Sequence, residues 1–552
     1  MTDPSTATLQ AAATRVPGRL AARLRTGFVA FASGAALSFA YPGWDAWFLA
    51  WFALVPFLVM LLQPRSARSY AWLSAAFGIG FFGGVNYWLL AMHPLTWLGP
   101  GMTMTLSLVV VFLAWFLLAL ILSSGSVAAF TAAGLTMRAL GRKGKLGAWA
   151  AVLVPVCFWV AMEYAQANGV FGYTWNMLAS TQYRTLPLLQ SVALFGPFPL
   201  SGLVVAVNAA IAWGIARREW KPLGATLAVA IALSGFGLWW MNRPVSAAPV
   251  PVAVVQGNVS QTEKWQRGNE HQIQDRYFDL SRRVAKAKLV AWPESALPVL
   301  LANTPALYDR FVAEAKARGQ AFLTGTFNAT TGPDGLPRYY NATTLFGPDG
   351  QNLGWDAKKH LVPFGEYLPG RHTLPPIWAQ TFAQLNLMSV DMTPGERPAP
   401  FATAFGRVGS NVCFDSIFPD VMRDTARAGA EMFVLVTNDA WYKKTMALQQ
   451  HLAHGVLRAV ENRRPFLQAA NTGASAVVDH TGRIVAQAPT WEPAAVEAEV
   501  RPVSEQTPYT RYGDWLSWLL MAGGAAFTIR AWRPARSARG SENSARGSDN
   551  KE

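Results

Sequence analysis

The strongest constraint on this chain is its set of apolar runs. A helix needs about 20 mostly apolar residues to cross the hydrocarbon of a bilayer, and residues 26–242 and 515–532 are dominated by stretches of that kind. We read eight candidate spans: Phe28–Ala40 (short), Ala46–Leu62, Tyr70–Met92, Met102 to about Ala133, Gly147–Tyr164, Pro197–Ala216, Ala225–Met241 and Trp515–Trp532. The fourth is long enough to tilt or to extend beyond the bilayer. The first follows Arg15, Arg19, Arg23 and Arg25 and ends in Ser-Phe-Ala, the outline of a signal peptide. More apolar runs follow at once, so it reads as an uncleaved anchor. Residues 250–505, by contrast, have the mixed composition of a globular domain placed before the last span.

The charges test this arrangement. A net charge of +15 invites a nucleic-acid reading, but Arg and Lys gather at the ends of apolar runs and in the tails, as membrane topology requires. Arg65 and Arg68 follow the second span, and Arg138, Arg142, Lys143 and Lys145 the fourth. Arg217, Arg218 and Lys221 follow the sixth; Arg530, Arg533, Arg536 and Arg539 follow or close the eighth. The alternate loops 41–45 and 93–101 have no Lys or Arg, and 165–185 has Arg184 alone. Both termini are therefore expected in the cytoplasm and the globular domain outside it, with no nucleic-acid partner. The expected divisions are a basic tail (1–25), seven spans (26–242), the external domain (243–510), the eighth span (511–533) and a polar tail (534–552).

There are two cysteines. Cys157 falls in the fifth span, so it is not placed to pair with Cys413. Cys413 is then a solitary thiol in a compartment that normally oxidises thiols. It reads either as a buried small hydrophobe or as a catalytic group.

Within the external domain, strand-like runs recur at 250–256, 289–292, 321–326, 341–346, 407–413, 432–437, 464–470, 475–479 and 483–486. Helix-like stretches lie at 268–287, 304–318, 416–429 and 446–462. Apolar strands alternating with helices imply sheets covered by helices, and a layered α-β-β-α sandwich fits. Three chemical groups stand at the ends of such strands or in loops, where such folds site their chemistry. "LVAWPESALP" presents Glu294, "DAKKHLVPFGEYLP" presents Lys358, Lys359 and Glu366, and "RVGSNVCFD" presents Cys413. A thiol nucleophile needs a base and a positive group where a carbonyl oxygen becomes negative. Glu, Lys and Cys supply all three. Singly, each also fits an ordinary surface carboxylate, a charged edge or a buried thiol.

"WPES", "KKHLVPFGEYLP" and "VCFDSIFPD", in that order, resemble the Glu-Lys-Cys set of the carbon–nitrogen hydrolase (nitrilase) superfamily. "VQGNVSQTEKW", "VTNDAWYKKTMALQQH", "RAVENRRPFLQAANTGASAVVDHTGRI", "TPYTRYGDW" and the amino-terminal "SFAYPGWDAWFLAWFALVPFL" narrow the resemblance to the apolipoprotein N-acyltransferase family. It covers nearly the whole chain, except the first 25 residues and the tail after about 533. It implies eight spans and an external nitrilase-like sandwich on the periplasmic side of a bacterial inner membrane. It also implies acyl transfer from a phospholipid, typically the sn-1 chain of phosphatidylethanolamine, to the α-amine of a diacylglyceryl-cysteine at a lipoprotein's amino terminus. The implied roles are Cys413 as nucleophile, Glu294 as general base and Lys358 as oxyanion partner. Glu366 supports them, and the Phe414 N–H helps form the oxyanion hole. Trp265, Trp441, Tyr442 and Trp378 are the implied lipid contacts, with no cofactor and no metal.

The sequence departs from the family's pattern at two places. Phe414 and Asp415 stand where the family usually has Tyr and Glu, and Tyr173-Thr174-Trp175 replaces Phe-Pro-Trp. If the missing hydroxyl or the shortened carboxylate positions the reacting groups, rate or acceptor choice differs. Other features have competing readings. The apolar segment 367–389 reads as a membrane-touching lid or as core. His451 and His454 have metal-pair spacing but also suit a helix surface or core. Glu163 reads as a headgroup contact or as a carboxylate in interfacial water. Asn328 and Asn341 open chance matches to a glycosylation sequon. A membrane-tethered amidase and a catalytically silent lipoprotein-handling scaffold are the competing functions.

Overall fold

A computed structural model describes residues 4–95, 101–168, 172–260, 263–264, 268–371, 375 and 390–534. The amino-terminal half is helical: α1 (Pro4–Ser38), α2 (Val55–Leu62), α3 (Ala67–Val85), α4 (Met104–Arg142), α5 (Ala148–Asn168), α6 (Pro197–Arg217) and α7 (Lys221–Met241). Among the described residues, α4, α5, α6 and α7 are long and apolar enough to cross a membrane. The other four candidate segments fall in α1, α2 and the 3-10 turn before it, α3, and the last helix. At 39 residues α4 is about 58 Å long, well beyond the ~30 Å hydrocarbon core.

Three predicted boundaries change. The first helix begins at Pro4, far upstream of Phe28, so most of the predicted tail is helical backbone. Ala46–Leu62 is not one helix: a 3-10 turn over Trp47–Trp51 precedes α2, and Pro56, lacking an N–H, sits in the first turn of α2. Tyr70–Met92 is divided at Asn86, whose Nδ2 donates back to Phe82 O (2.8 Å) and across to Asn176 Oδ1 (3.0 Å). A 3-10 turn over Tyr87–Met92 follows.

The external half contains two six-stranded sheets. The first is built from β1 (Val250–Gln256), β2 (Leu289–Ala291), β3 (Ala321–Thr331), β4 (Pro337–Phe346) and β5 (Asn352–Ala357), with β12 (Ala494–Val500) on the far side of β1. The second runs β6 (Phe401–Thr403), β7 (Gly406–Val412), β8 (Met432–Thr437), β9 (Phe466–Ala470), β10 (Ala476–Val478) and β11 (Ile484–Gln487). In each sheet three strands are parallel, β1-β2-β3 and β7-β8-β9. Parallel neighbours need crossovers, and the helices supply them: α8 (Glu270–Arg282), α9 (Pro305–Arg318), α10 (Pro419–Arg427) and α11 (Ala447–Asn462). The last helix, α12 (Trp515–Trp532), matches the eighth candidate span residue for residue.

Side-chain alternation divides the cores. Val252, Val254, Leu289 and Leu323 of one sheet meet Val412, Val434, Val436 and Leu467 of the other. On the outer face of the first sheet, Val255, Val290 and Phe322 pack with Phe278 and Phe311 of α8 and α9. This is the predicted α-β-β-α order. Strands β5, β6 and β12 were not predicted.

Helix α11 joins the halves. Leu452, Val456 and Val460 cluster with Phe433 of the sheet and with Val160 and Phe198 of the membrane helices. Polar ties reinforce this seam, including Gln190 Nε2 to Thr481 O (2.9 Å) and the Arg423–Asp514 ion pair (3.0 Å). Glu163 is buried rather than in interfacial water: its Oε1 accepts from Trp159 Nε1 (2.9 Å) and Leu178 N–H (2.8 Å).

Candidate functional site

Each predicted chemical group follows the carboxyl end of a strand. Glu294 comes three residues after β2, Lys358 directly follows β5 and Cys413 directly follows β7. The two sheets face one another, so these ends converge although they are far apart in sequence.

Glu294 and Lys358 form one paired network with Glu366. Lys358 Nζ lies 2.9 Å from Glu366 Oε2 and 3.7 Å from Glu294 Oε1. Asn341 of β4 donates Nδ2–H to Glu294 Oε1 and to Glu366 Oε1, each at 2.7 Å. The N–H of Asn438, one residue past β8, donates to Glu294 Oε2 (2.9 Å), and Val362 N–H donates to Glu366 Oε2 (2.9 Å). Burial by itself would lower the Lys358 pKa, but Glu366 and then Glu294 reverse this, and the net shift is upward. Lys358 is thus held as a cation. Gly325 on β3 allows this approach, because a Cβ there would lie 2.6 Å from Glu294 Cα and Pro293 O.

Cys413 is held differently. Its φ is +47°, a left-handed conformation that costs a non-glycine residue about 1–2 kcal/mol. It opens a 3-10 turn over Cys413–Ile417. Asp415 fixes that turn: its carboxylate accepts from Val412 N–H (3.0 Å), Lys359 N–H (3.0 Å) and His360 N–H (2.7 Å). The shorter carboxylate therefore clamps the Cys413 turn to the loop that carries Lys358. Burial pushes the Asp415 carboxyl up to about 6, against the opposing N–H bonds and Lys358. The Cys413 thiol is also raised well above its ordinary value, first by burial and then by Glu294, with Lys358 pulling the other way.

A second buried chain backs the turn. His451 of α11 pairs through Nδ1 with Asp439 Oδ1 (2.9 Å), and its Nε2 lies 2.9 Å from Ser416 Oγ and 3.3 Å from Cys413 O. His451 and His454 are both buried in the domain core, and among the described residues no cluster of potential metal ligands occurs.

The remaining predicted residues separate. The Phe414 ring packs at 5.2 Å on Phe418 and at 6.5 Å from Tyr173. Tyr442 packs on Trp88 and Trp175 at 4.8 and 5.5 Å. Trp441 lies beside it in the same 3-10 turn, half-buried. Trp265, Trp378 and most of segment 367–389 (372–374 and 376–389) lie outside the described residues. Lys359 pairs with Asp356 and turns away from the cluster. Asn341 is buried between two carboxylates, so the sequon reading fails there.

Sequence reasoning missed Asn341, Asn438, His451 and Lys264. The Lys264 Nζ is buried with no partner among the described residues. Burial lowers its pKa to about 8, opposed by Glu294. Its segment reaches Glu294 through Asn471, which accepts from Val259 N–H (3.0 Å) and donates to Asn438 Oδ1 (3.2 Å). Lys264 lies inside the quoted VQGNVSQTEKW, and Asn438 and His451 lie inside the quoted VTNDAWYKKTMALQQH, but none was assigned to the site.

Comparison with known proteins decides the family. Residues 251–509 match the carbon-nitrogen hydrolase model and residues 33–210 the apolipoprotein N-acyltransferase N-terminal domain. A curated apolipoprotein N-acyltransferase from Geobacter metallireducens is 32% identical over 94% of this chain and 98% of its own. The chain belongs to the apolipoprotein N-acyltransferase family. The relative from Gloeobacter violaceus is 34% identical over 93% of this chain and 95% of its own. Among solved structures, a nitrilase-superfamily amidase from Nesterenkonia covers 49% of this chain and 95% of its own, at 19% identity and a TM-score of 0.36. The family assignment rests on the full-length relatives. It makes the chain a membrane-associated acyltransferase with a carbon-nitrogen hydrolase domain.

Proposed function

We propose that this protein transfers an acyl chain from a membrane phospholipid, the sn-1 chain of phosphatidylethanolamine for choice, through a thioester on Cys413. The acceptor is the α-amine of the diacylglyceryl-cysteine that begins a lipoprotein. The observation that carries the reading is the convergence of Glu294, Lys358 and Cys413 at strand ends of two facing sheets.

In the first step Glu294 removes the Cys413 proton as sulfur attacks the ester carbonyl. Lys358 and the Phe414 N–H, in the turn that Cys413 opens, stabilise the oxyanion. Collapse expels the lysophospholipid alkoxide, which takes the proton back from Glu294. In the second step the acceptor amine, losing a proton to Glu294, attacks the thioester carbonyl, and the Cys413 sulfur leaves and takes that proton back from Glu294. The two half-reactions make the kinetics ping-pong. Glu366 and Asn341 orient Glu294 and Lys358.

The positive loops support eight spans, cytoplasmic termini and a catalytic domain on the periplasmic side, with the divisions at 25, 242, 510 and 533. That arrangement gives both lipid-anchored substrates access to Cys413 from the outer leaflet. Trp441, Tyr442, Trp265 and Trp378 are proposed lipid contacts at the entry.

Incubating the full-length protein with phosphatidylethanolamine and a diacylated lipopeptide tests the reading. Amide-linked acyl transfer that disappears in Cys413→Ala is expected. Hydrolysis of a small amide without transfer favours a tethered amidase, and no turnover favours a scaffold.

A further inference from the structure

Helices α4 and α5 leave a groove of about 450 Å³ between them, lined by Gly125, Ala128, Phe158, Ala165, Gln166 and Tyr173 among others. Its walls are almost entirely carbon. Only 22% of the most apolar window of α4 is buried, so this helix presents most of that surface to the surroundings. In a bilayer those surroundings are hydrocarbon, and a lipid chain is the occupant chemically matched to the groove. The lining residues of α5, Phe158 to Gln166, fall within its last ~15 Å before Asn168. With the external domain following on that side, this is the depth of an outer-leaflet chain.

The groove changes character at its inner end. Gln166 Nε2 donates to Leu122 O (3.1 Å), and Tyr173 OH donates to Asn86 Oδ1 (2.6 Å). Gln166 and Tyr173 also line a second cavity of about 10 Å³, with Glu163 and Asn176 on its wall. That is about the volume of one water. Among the described residues Glu163 Oε2 and Asn176 Nδ2 are buried without a hydrogen-bond partner, and each residue is 5% exposed. An apolar groove with a polar inner end has the profile of an amphiphile. The Tyr173 ring at that end is 6.5 Å from the ring of Phe414, the residue after Cys413.

We infer that the α4–α5 groove holds the acyl chain that is transferred, directing its ester past Tyr173 and Phe414 to Cys413. This rests on the acyltransferase reading above and deepens it by naming the subsite that measures the donor chain. Chain length is then read by how much hydrocarbon the groove covers. Narrowing the groove penalises long chains more than short ones.

The test uses full-length protein in proteoliposomes, with palmitoyl and octanoyl phosphatidylethanolamine as donors and one diacylated lipopeptide as acceptor. Ala128 and Ala165 are exposed on the rim, so Ala128→Leu and Ala165→Leu narrow the groove without disturbing packed neighbours. The palmitoyl-to-octanoyl ratio of kcat/KM is expected to fall about tenfold in the double variant, the equivalent of excluding about two methylenes. Phe158→Ala, which widens the groove, should move the ratio the other way. An unchanged ratio in both variants overturns the inference and leaves the groove as a crevice for bystander lipid. Absence of transfer by the unmodified protein from either donor would instead overturn the acyltransferase reading.

Discussion

The two walls of the site hold their reactive groups by different means. On the first-sheet wall, Glu294, Lys358 and Glu366 are fixed by their side chains, through one another, Asn341 and the N–H groups of Asn438 and Val362. Both carboxylates have each oxygen occupied, and Asn341 bridges them. On the second-sheet wall the Cys413 thiol is held through its backbone. Asp415 grips the N–H groups on either side, and His451 and Ser416 lie against its carbonyl oxygen. In the proposed mechanism a base and an oxyanion partner need fixed charge, which locked side chains would supply. In the same proposal the nucleophile must take up an acyl group and give it up, which suits a constraint placed mainly on the main chain.

Substitutions separate the walls. On the first, Glu294→Gln keeps the shape and the Asn341 contact but removes the base. Transfer should fall by about 10²–10⁴, more than the ~1–3 kcal/mol of stability lost where the Gln amide meets the Asn438 N–H. A comparable loss of stability would show that Glu294 serves the fold rather than the reaction.

On the second wall, Asp415→Asn sets an amide NH2 against backbone N–H donors that the carboxylate accepts. A buried donor left without an acceptor costs about 1–3 kcal/mol, so activity and stability should fall together, activity by about 10- to 100-fold. The pH dependence sharpens this. The folded Asp415 pKa is raised to about 6, so the carboxylate protonates and loosens its grip as pH falls through 6. A group with a raised folded pKa binds its proton more tightly when folded, so its contribution to stability is present at low pH and lost as pH rises through 6. Acid loss of activity from Asp415 should therefore appear without unfolding, and it should be missing from the pH profile of Asp415→Asn.

The smallest expected effect concerns the thiol alone. Burial and Glu294 raise the Cys413 pKa, so its alkylation by iodoacetamide should keep accelerating above the usual thiol range near 8.5–9. Glu294→Gln should lower that limb. A plateau at ordinary thiol pH would place Cys413 outside the charged cluster.

The legible and illegible parts of this molecule divide along the same physical line. Glu294 and Cys413 could be read because each follows a predicted apolar strand, and Lys358 because it sits in a distinctive loop before a Pro-Phe-Gly turn, all local signals. Asn341, Asn438 and His451 could not. Each matters through a partner on another strand or helix, 47, 144 and 38 residues away. Strand β12 was missed because Ala494–Val500 is mostly Ala and Glu, residues depleted in strands, and gains its pairing from β1. The span boundaries failed where Pro56 and Asn86 interrupt apolar runs, since hydropathy counts carbon and not backbone donors. Asp415 gave the clearest correction. In sequence it is a shortened version of the family's residue, but in three dimensions its length suits the three N–H groups around it.

The central claim is that Cys413 carries the acyl group. Intact-protein and peptide mass spectrometry, after incubation with phosphatidylethanolamine and no acceptor, tests it directly. The account predicts one acyl chain on the peptide containing Cys413, removed by hydroxylamine and discharged when a diacylated lipopeptide is added. Acyl transfer by Cys413→Ala, or a competent acyl adduct on any other residue, would contradict it.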